Sequence, residues 1–291
     1  MPPASDWLRG NQAICVFSFD IDAESPILAQ GRRFAEHAMT MTHQAFGPLV
    51  GVPRILELLD EYKLKATFFT PGFTADRYPE VLARVVAAGH EVAHHSYSHR
   101  EPTSMSPDEQ EQDFARGLEA LARVGVTPRG YRAPMWEATW HTPGIVARHG
   151  LLYESSLMDD DRPYVLEIDG KEIVELPPHW SLDDWEQYAF LPDPNIGAII
   201  ESPAKVFEQW SFELEAMRRH HCLFMLTCHP FLSGRAGRLE MLRRLIEFVL
   251  AKKDVAILTA LQVAEQAIAD PLVPRRRLRP VTVDPAIYPK A

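Results

Sequence analysis

Along this chain, short apolar runs alternate with stretches whose apolar residues recur every three or four positions. Ala13–Phe19 is apolar throughout, as expected of a strand buried on both faces. From Val52 to Tyr62, Ile55, Leu56, Leu58 and Leu59 follow helical spacing, with Pro53 near the start. A strand is predicted over Lys65–Thr70, ending at Pro71-Gly72, and an amphipathic helix over Tyr78–Ala88, stopped by Gly89. The stretch 87–99 then reads as a short buried strand running into a cluster of imidazoles. Ser106 caps the next helix, with Pro107 at its first position, and that helix continues to about Arg123. Gly130–Pro134 is a short strand entering a loop, Thr142–His149 a helix closed by Gly150, and Leu151–Ser155 another strand. Helices over Ala204–His220, Leu239–Lys252 and Ala260–Ala269 alternate with strands over Leu223–Thr227 and Val255–Leu258.

Strands and helices repeat in this way about seven times, which predicts parallel strands joined by helical crossovers. The boundaries implied are a polar N-terminal arm over 1–12, a single catalytic barrel over 13–270 and a C-terminal arm over 271–291, with Arg275–Arg277 and several prolines in the last. Two segments break the rhythm. Residues 23–50 form a long connection rich in Gly, Pro, His and Met, and residues 157–200 are irregular and rich in Asp, Pro and Trp. Connections this long usually serve function or shape an assembly surface.

At 291 residues and 46% apolar content the chain can build a large core in one α/β domain. Its formal charge of -10 argues against a primary task in nucleic-acid binding. No apolar run is long enough for a transmembrane helix, and the N-terminus shows no charged region followed by an apolar one, so a cytoplasmic protein is expected. Cys15, Cys222 and Cys228 lie in apolar runs and read as reduced core residues.

The residues with chemistry to offer all follow predicted strands. His95 and His99 are four apart, which on a helical turn puts both rings on one face. His90 and His94 share the spacing, but His95 and His99 come where the strand ends. Asp20 and Asp22 close the first strand and, in extended chain, point the same way. Two imidazoles and one carboxylate make a catalytic zinc set with a position open for water. The second acid then serves as a base. His229 closes the strand run Leu223-Phe-Met-Leu-Thr-Cys-His229 and can protonate a leaving amine, and Arg132 can pair with a catalytic carboxylate. Glu24 is either a further ligand or a loop acid, and the stretch from Pro177 to Trp185 is either an aromatic wall near the site or a subunit contact. In a parallel barrel, strand ends gather at one face, so these segments are expected to share one site.

The motif order resembles that of the polysaccharide deacetylase family (the NodB homology domain) over roughly residues 13–265. His95-Ser-Tyr-Ser-His99 fits its metal motif, Arg132-Ala-Pro134 its Arg-x-Pro motif, and Leu226-Thr-Cys-His229 its Leu-x-x-His motif. The resemblance implies a distorted (β/α)7 barrel and metal-dependent hydrolysis of an amide such as an N-acetyl group. By position, Asp22, His95 and His99 would hold Zn²⁺ or another divalent ion. Asp20 would be the general base, Arg132 its partner and His229 the general acid. The Met135 N–H would help stabilise the oxyanion. Glu24, Trp136, Trp180 and Trp185 are the substrate-pocket candidates.

One residue separates the two acids in Ser18-Phe-Asp-Ile-Asp-Ala-Glu24, and Met135 stands where the family has tyrosine. With 155–164 and 180–185, these features are similar to the intracellular branch that holds the Helicobacter-type peptidoglycan deacetylase and the allantoinase and cyclic-imide hydrolase relatives. That branch implies homotetramers with small enclosed pockets. The expected function is hydrolysis of a non-peptide C–N bond in a small amide, cyclic amide or N-acetyl compound. A peptidoglycan or polysaccharide N-deacetylase is one alternative, and a catalytically silent binding or assembly barrel is another.

Overall fold

The structure, a computed structural model, describes residues 7–288. The first strand, β1 (Ala13–Asp20), is followed by helices α1 (Ser25–Gln30), α2 (Ala38–Phe46) and α3 (Val52–Glu61). Then come β2 (Thr67–Thr70), α4 (Gly72–Arg77), α5 (Pro79–Ala87), β3 (Glu91–His94), α6 (Pro107–Arg123) and β4 (Gly130–Tyr131). Helix α7 (Thr142–Arg148) leads to β5 (Tyr153–Glu154), β6 (Tyr164–Ile168) and β7 (Lys171–Glu175). A short helix α8 (Trp185–Tyr188) precedes the hairpin of β8 (Phe190–Leu191) and β9 (Ile196–Ala198). The chain ends with α9 (Pro203–His220), β10 (Leu223–Cys228), α10 (Pro230–Ser233), α11 (Ala236–Leu250), β11 (Val255–Ile257), α12 (Ala260–Ala269) and β12 (Arg275–Arg276).

The main sheet runs β10-β1-β2-β3-β4-β5-β7-β6-β12, with β11 also paired to β1. Every pairing in it is parallel except β6 with β7. The expected parallel sheet with helical crossovers is therefore present. β11 pairs with the beginning of β1 and β2 with its end, while β10 pairs along most of its length. Of β1, Ile14 and Val16 join an inner cluster with Phe69, Ala93, Tyr153, Val174 and Met225, on which α12 also packs. Cys15, Phe17 and Phe19 face the helical layer of α3, α5, α9 and α11. This alternation also turns Ser18 and Asp20 inward, because side chains two apart in a strand share a face.

The two segments expected to be irregular are ordered. Residues 25–51 carry α1, a 3₁₀ turn over Arg32–Glu36, α2 and a turn of π-helix over Gly47–Gly51. The prolines and glycines that suggested a loop stand at helix boundaries instead, with Pro26 and Pro48 in first turns. Within 157–200, β6 and β7 form an antiparallel hairpin that widens the main sheet. The expected arms also differ. Residues 1–6 and 289–291 lie outside the described residues. The Trp7 N–H donates to the Asp270 carboxylate at 2.9 Å, Trp7 and Leu8 are buried, and β12 pairs with β6. Among the described residues, no helix is long and apolar enough to cross a membrane.

Gly51 shows how tightly the loops are fitted around the strand ends. A β-carbon there would stand 2.1 Å from the Pro230 carbonyl oxygen, a backbone atom that cannot step aside. Pro230 directly follows His229. Gly51→Ala should lower stability by about 1–3 kcal/mol through overpacking. Thermal melting tests this, and an unchanged melting temperature would refute the fit.

Candidate active site

Asp20 and Arg132 meet at the centre of the inner face. Arg132 is wholly buried, and its Nη1 donates to Asp20 Oδ1 at 2.7 Å and to Ser18 Oγ at 3.0 Å. Its Nη2 donates to Ser155 Oγ at 3.2 Å, and its guanidinium lies 3.9 Å from the Phe69 ring centroid. The Arg132 carbonyl is 2.7 Å from His95 Nδ1. If that nitrogen carries the ring proton, Nε2 presents its lone pair inward.

His95 Nε2 points at the acids, 3.5 Å from Asp22 Oδ1 and 3.9 Å from Asp20 Oδ2. His99 Nε2 is 3.5 Å from Asp22 Oδ2. The spacing of the two histidines does not come from a helix: both follow β3 in a loop, with Ser96 and His99 at positive φ. One ligand atom from each of Asp22, His95 and His99 lies within 4.8 Å of the others. Burial favours neutral imidazole at His95 and neutral carboxyl at Asp22, but His99, His95 and His229 hold Asp22 far below the usual carboxylate range. Asp22 Oδ1 is buried without a hydrogen-bond donor. A buried anionic carboxylate that faces one imidazole nitrogen with each oxygen, one of those oxygens without a donor, fits a divalent cation.

His229 closes the cavity from the other side, with Nε2 3.6 Å from Asp22 Oδ2. Asp184 Oδ1 accepts from both the His229 backbone N–H, at 2.8 Å, and Nδ1, at 2.7 Å. Asp184 Oδ2 accepts from the Ser233 hydroxyl. Asp183 Oδ1 is 3.5 Å from the same ring and accepts from the Trp185 N–H. Burial disfavours the imidazolium, but Asp183, Asp184 and Asp22 outweigh it and push His229 up to about 10. A cation on Asp22 would pull that value down by like-charge repulsion. Burial, with the Asp184 charge beside it, raises Asp183 to about 7 against the opposing effect of His229.

Asp20, Asp22, His95, His99, Met135, Trp136, Trp180, Trp185 and His229 all border one small cavity of about 30 Å³, with Ala133 and Asp183. Trp136 and Trp180 pack with centroids 4.6 Å apart, and Trp185 lies against the His229 ring at 5.1 Å. Met135 and Trp136 both have positive φ. That turn sets Met135 and Trp136 on the wall of the cavity.

Glu24 does not belong to the pocket. Its Oε1 takes the Tyr78 hydroxyl at 2.7 Å and Arg77 Nε at 3.0 Å, and it does not border the cavity. The local chain turns it outward just before α1, and Arg77 supplies a countercharge that the sequence separates from it by more than fifty positions. Asp183, Asp184 and Ser155 are the site residues that sequence reasoning missed. The signal was the acidic pair directly before Trp185, whose link to His229 depends on a bridge between Asp183 and Thr227 of β10.

A family profile described as polysaccharide deacetylase matches residues 38–153. A peptidoglycan deacetylase of Helicobacter pylori is 30% identical over 248 residues, covering 76% of this chain and 84% of that protein. This chain belongs to the polysaccharide deacetylase family. A solved structure of a candidate polysaccharide deacetylase from Mycobacterium smegmatis superposes with TM-score 0.92 at 48% identity, covering 97% of this chain and 99% of that one. A Puue allantoinase shares the fold, with TM-score 0.79 at 22% identity over 92% of this chain and 94% of that one. As a family member, this deacetylase-like protein is a hydrolase of carbon–nitrogen bonds other than peptide bonds, and its Asp/His groups are able to bind metal.

Asp184→Asn tests the support of His229. A histidine whose folded pKa is raised contributes stability below its unfolded value and loses it as pH rises through about 10. With the Asp184 charge removed, His229 should lose its proton at lower pH. The alkaline limb of kcat should shift toward neutrality, with kcat falling about 10²-fold or more. An unmoved limb would dismiss Asp184 as the supporting group.

Proposed function

We propose that this protein is a zinc-dependent amidohydrolase acting on a small amide, cyclic amide or N-acetyl compound. The observation that carries the reading is the convergence of Asp22, His95 and His99 with two further proton-handling groups, Asp20 and His229, around one cavity. A divalent cation held by Asp22, His95 and His99 would polarise the carbonyl and lower the pKa of the attacking water.

The chain's own residues do the rest. Asp20 takes the proton from that water, and Arg132 keeps the carboxylate ionised and aimed by its 2.7 Å bond. The Met135 N–H donates to the developing oxyanion. His229, held in its protonated form by Asp184, gives its proton to the departing nitrogen. The tryptophans keep bulk water away, and a cavity of about 30 Å³ suits an acyl group or the edge of a small ring better than a buried stretch of polymer.

We place the protein in the cytoplasm as a homo-oligomer, a tetramer by family resemblance. Free, buried Cys15, Cys222 and Cys228 fit a reducing compartment. Phe190, Ile199 and Ile200 are large apolar side chains exposed on or just after the hairpin, and Phe212 is another midway along α9. They suit a contact with a second copy.

Elemental analysis of freshly purified protein should find about one divalent ion per chain. His95→Ala should lose most of it, because one ligand of three is gone; full retention would refute the ligand set. Asp20→Asn should keep the metal and lower kcat by about 10²–10⁴-fold on the amide that turns over best in a substrate screen. If it remains fully active, Asp20 is not the base. Ile200→Asp should lower the mass seen in light scattering, and an unchanged mass would remove this face from the interface.

A further inference from the structure

One residue before the inward-facing strand ends, the sheet carries a second row that points the other way. His94, Tyr131, Glu154, Glu175 and Tyr164 are successive register partners across β3, β4, β5, β7 and β6. Each of the first three is followed by an inward group of the site: His95, Arg132 and Ser155. Glu154 and Glu175 therefore lie side by side behind the catalytic face, and both are wholly buried.

Their hydrogen bonding is incomplete. Glu175 Oε1 accepts the N–H groups of Ser156, at 2.9 Å, and Leu157, at 3.0 Å. Glu175 Oε2 and both oxygens of Glu154 have no donor. The charges acting on Glu175 are acidic, those of Glu154 and Asp159, and burial dominates at Glu154. On the packed elements, Tyr164 gives its hydroxyl hydrogen to Asp159, whose loop Arg276 also binds, and Tyr131 shares a hydrogen with Ser96 at 3.0 Å. Asp113 of α6 is bound to the N–H groups of Tyr97 and Ser98, and His149 beyond α7 pairs with Glu111. Tyr131 and Tyr164 of this row pack in an apolar cluster with Phe114, Ile145 and Val146.

Two neighbouring carboxylates in such surroundings cannot both ionise without a large cost. Burial raises Glu154 to about 7, and burial with the Glu154 charge raises Glu175 further. We propose that Glu154 and Glu175 share one proton near neutral pH, and that this bridge is a positioning device for Arg132 and the Ala133–Met135 turn. The inference rests on the reading of Arg132 as the partner of the base.

The transmission is short. With the proton in place, Glu175 keeps the 156–157 turn against β7. Ser156 Oγ then accepts from the Ala133 N–H at 2.9 Å, and Ser155 Oγ bonds both Arg132 Nη2 and the Leu176 carbonyl. Once both carboxyls ionise, repulsion opens β5 from β7 and draws Ser155 and Ser156 off the groups they hold. A carboxyl raised on folding stabilises the fold while protonated. Its contribution is full below the ordinary glutamate range and lost as pH rises through about 7.

The test uses metal-loaded, full-length protein with Glu154→Gln and its mirror Glu175→Gln. The amide supplies a hydrogen bond to the neighbouring carboxylate without a titrating proton. Thermal melting is followed from about pH 5 to about pH 8, and infrared spectra are scanned for the C=O band of a buried protonated carboxyl. At the acid end, Glu154→Gln should melt close to the wild type. Toward the alkaline end, the wild type should lose several degrees that the variant keeps, and the infrared difference between wild type and each variant should show a lost carboxyl C=O band, the contribution of Asp183 cancelling in the difference. On the amide found by screening, the wild type's kcat should decline over the same range with KM little changed, and Glu154→Gln should flatten that decline.

A variant that declines with the wild type, an infrared difference that shows no lost C=O band in either variant, or an equal loss of stability at every pH would overturn the shared proton. A flattened melting profile beside an unflattened kcat profile would overturn the positioning role. If no amide is turned over, melting and infrared still decide whether the proton is shared, and the effect on Arg132 is read from the pH dependence of metal affinity, which His95 transmits from the Arg132 carbonyl: a dependence that Glu154→Gln leaves unaltered would overturn that link. Failure of the hydrolase reading is thus distinguishable from failure of the bridge.

Discussion

The buried guanidinium of Arg132 is the constraint on which the rest of the site depends. Taking a cation out of water costs several kcal/mol even after relaxation, so it persists only with a countercharge and hydrogen-bond acceptors at hand, which here serve Nη1 and Nη2 while Nε has none among the described residues. Asp20 and Ser18 come from β1, Ser155 from the end of β5, and the aromatic face beneath from Phe69 of β2. The Arg132 carbonyl takes His95 at the end of β3. One residue thereby couples Asp20, His95 and four strands. Any shift of β4 is felt at both Asp20 and His95.

Around this centre the protein keeps an excess of acid in a very small volume. Asp20, Asp22, Asp183 and Asp184 face Arg132 and His229 as the fixed counterions. The acids are kept distinct by their partners. Asp20 is tied to an arginine, Asp22 to three imidazoles, and Asp184 to His229 and Ser233. Asp183, with less compensation, is pushed toward neutrality. Such separation of nearby carboxyls lets one cavity hold an ionised carboxylate, a carboxyl near neutrality and a protonated imidazole at the same pH.

The walls bring the same logic to packing. The turn at Met135 and Trp136 uses left-handed backbone at two residues with side chains, a conformation that surrounding contacts must enforce. Ser156 holds the Ala133 N–H at the start of that turn, and Trp180 packs over Trp136. The loop segments that carry the tryptophans are thus fixed by the same strand ends that carry the chemistry.

Much of this was legible from the residues. The 3.6-residue spacing in 52–62 and the unbroken apolar run of 13–19 report burial, which sequence records directly. The acids, histidines and arginine at strand ends were legible because a parallel sheet presents its C-terminal ends together. The sequence by itself therefore determined the parallel architecture and most of the residues that meet in the cavity. Only the tertiary structure decided that 23–50 is largely helical, that Glu24 turns away to Tyr78 and Arg77, and that Asp184 rather than Asp183 holds His229. It also brought Glu154 against Glu175. The physical reason is common to all four: each outcome is set by a partner distant in sequence or by a choice between adjacent side chains. Local propensity and period describe which face a residue prefers, but not which group it finds there.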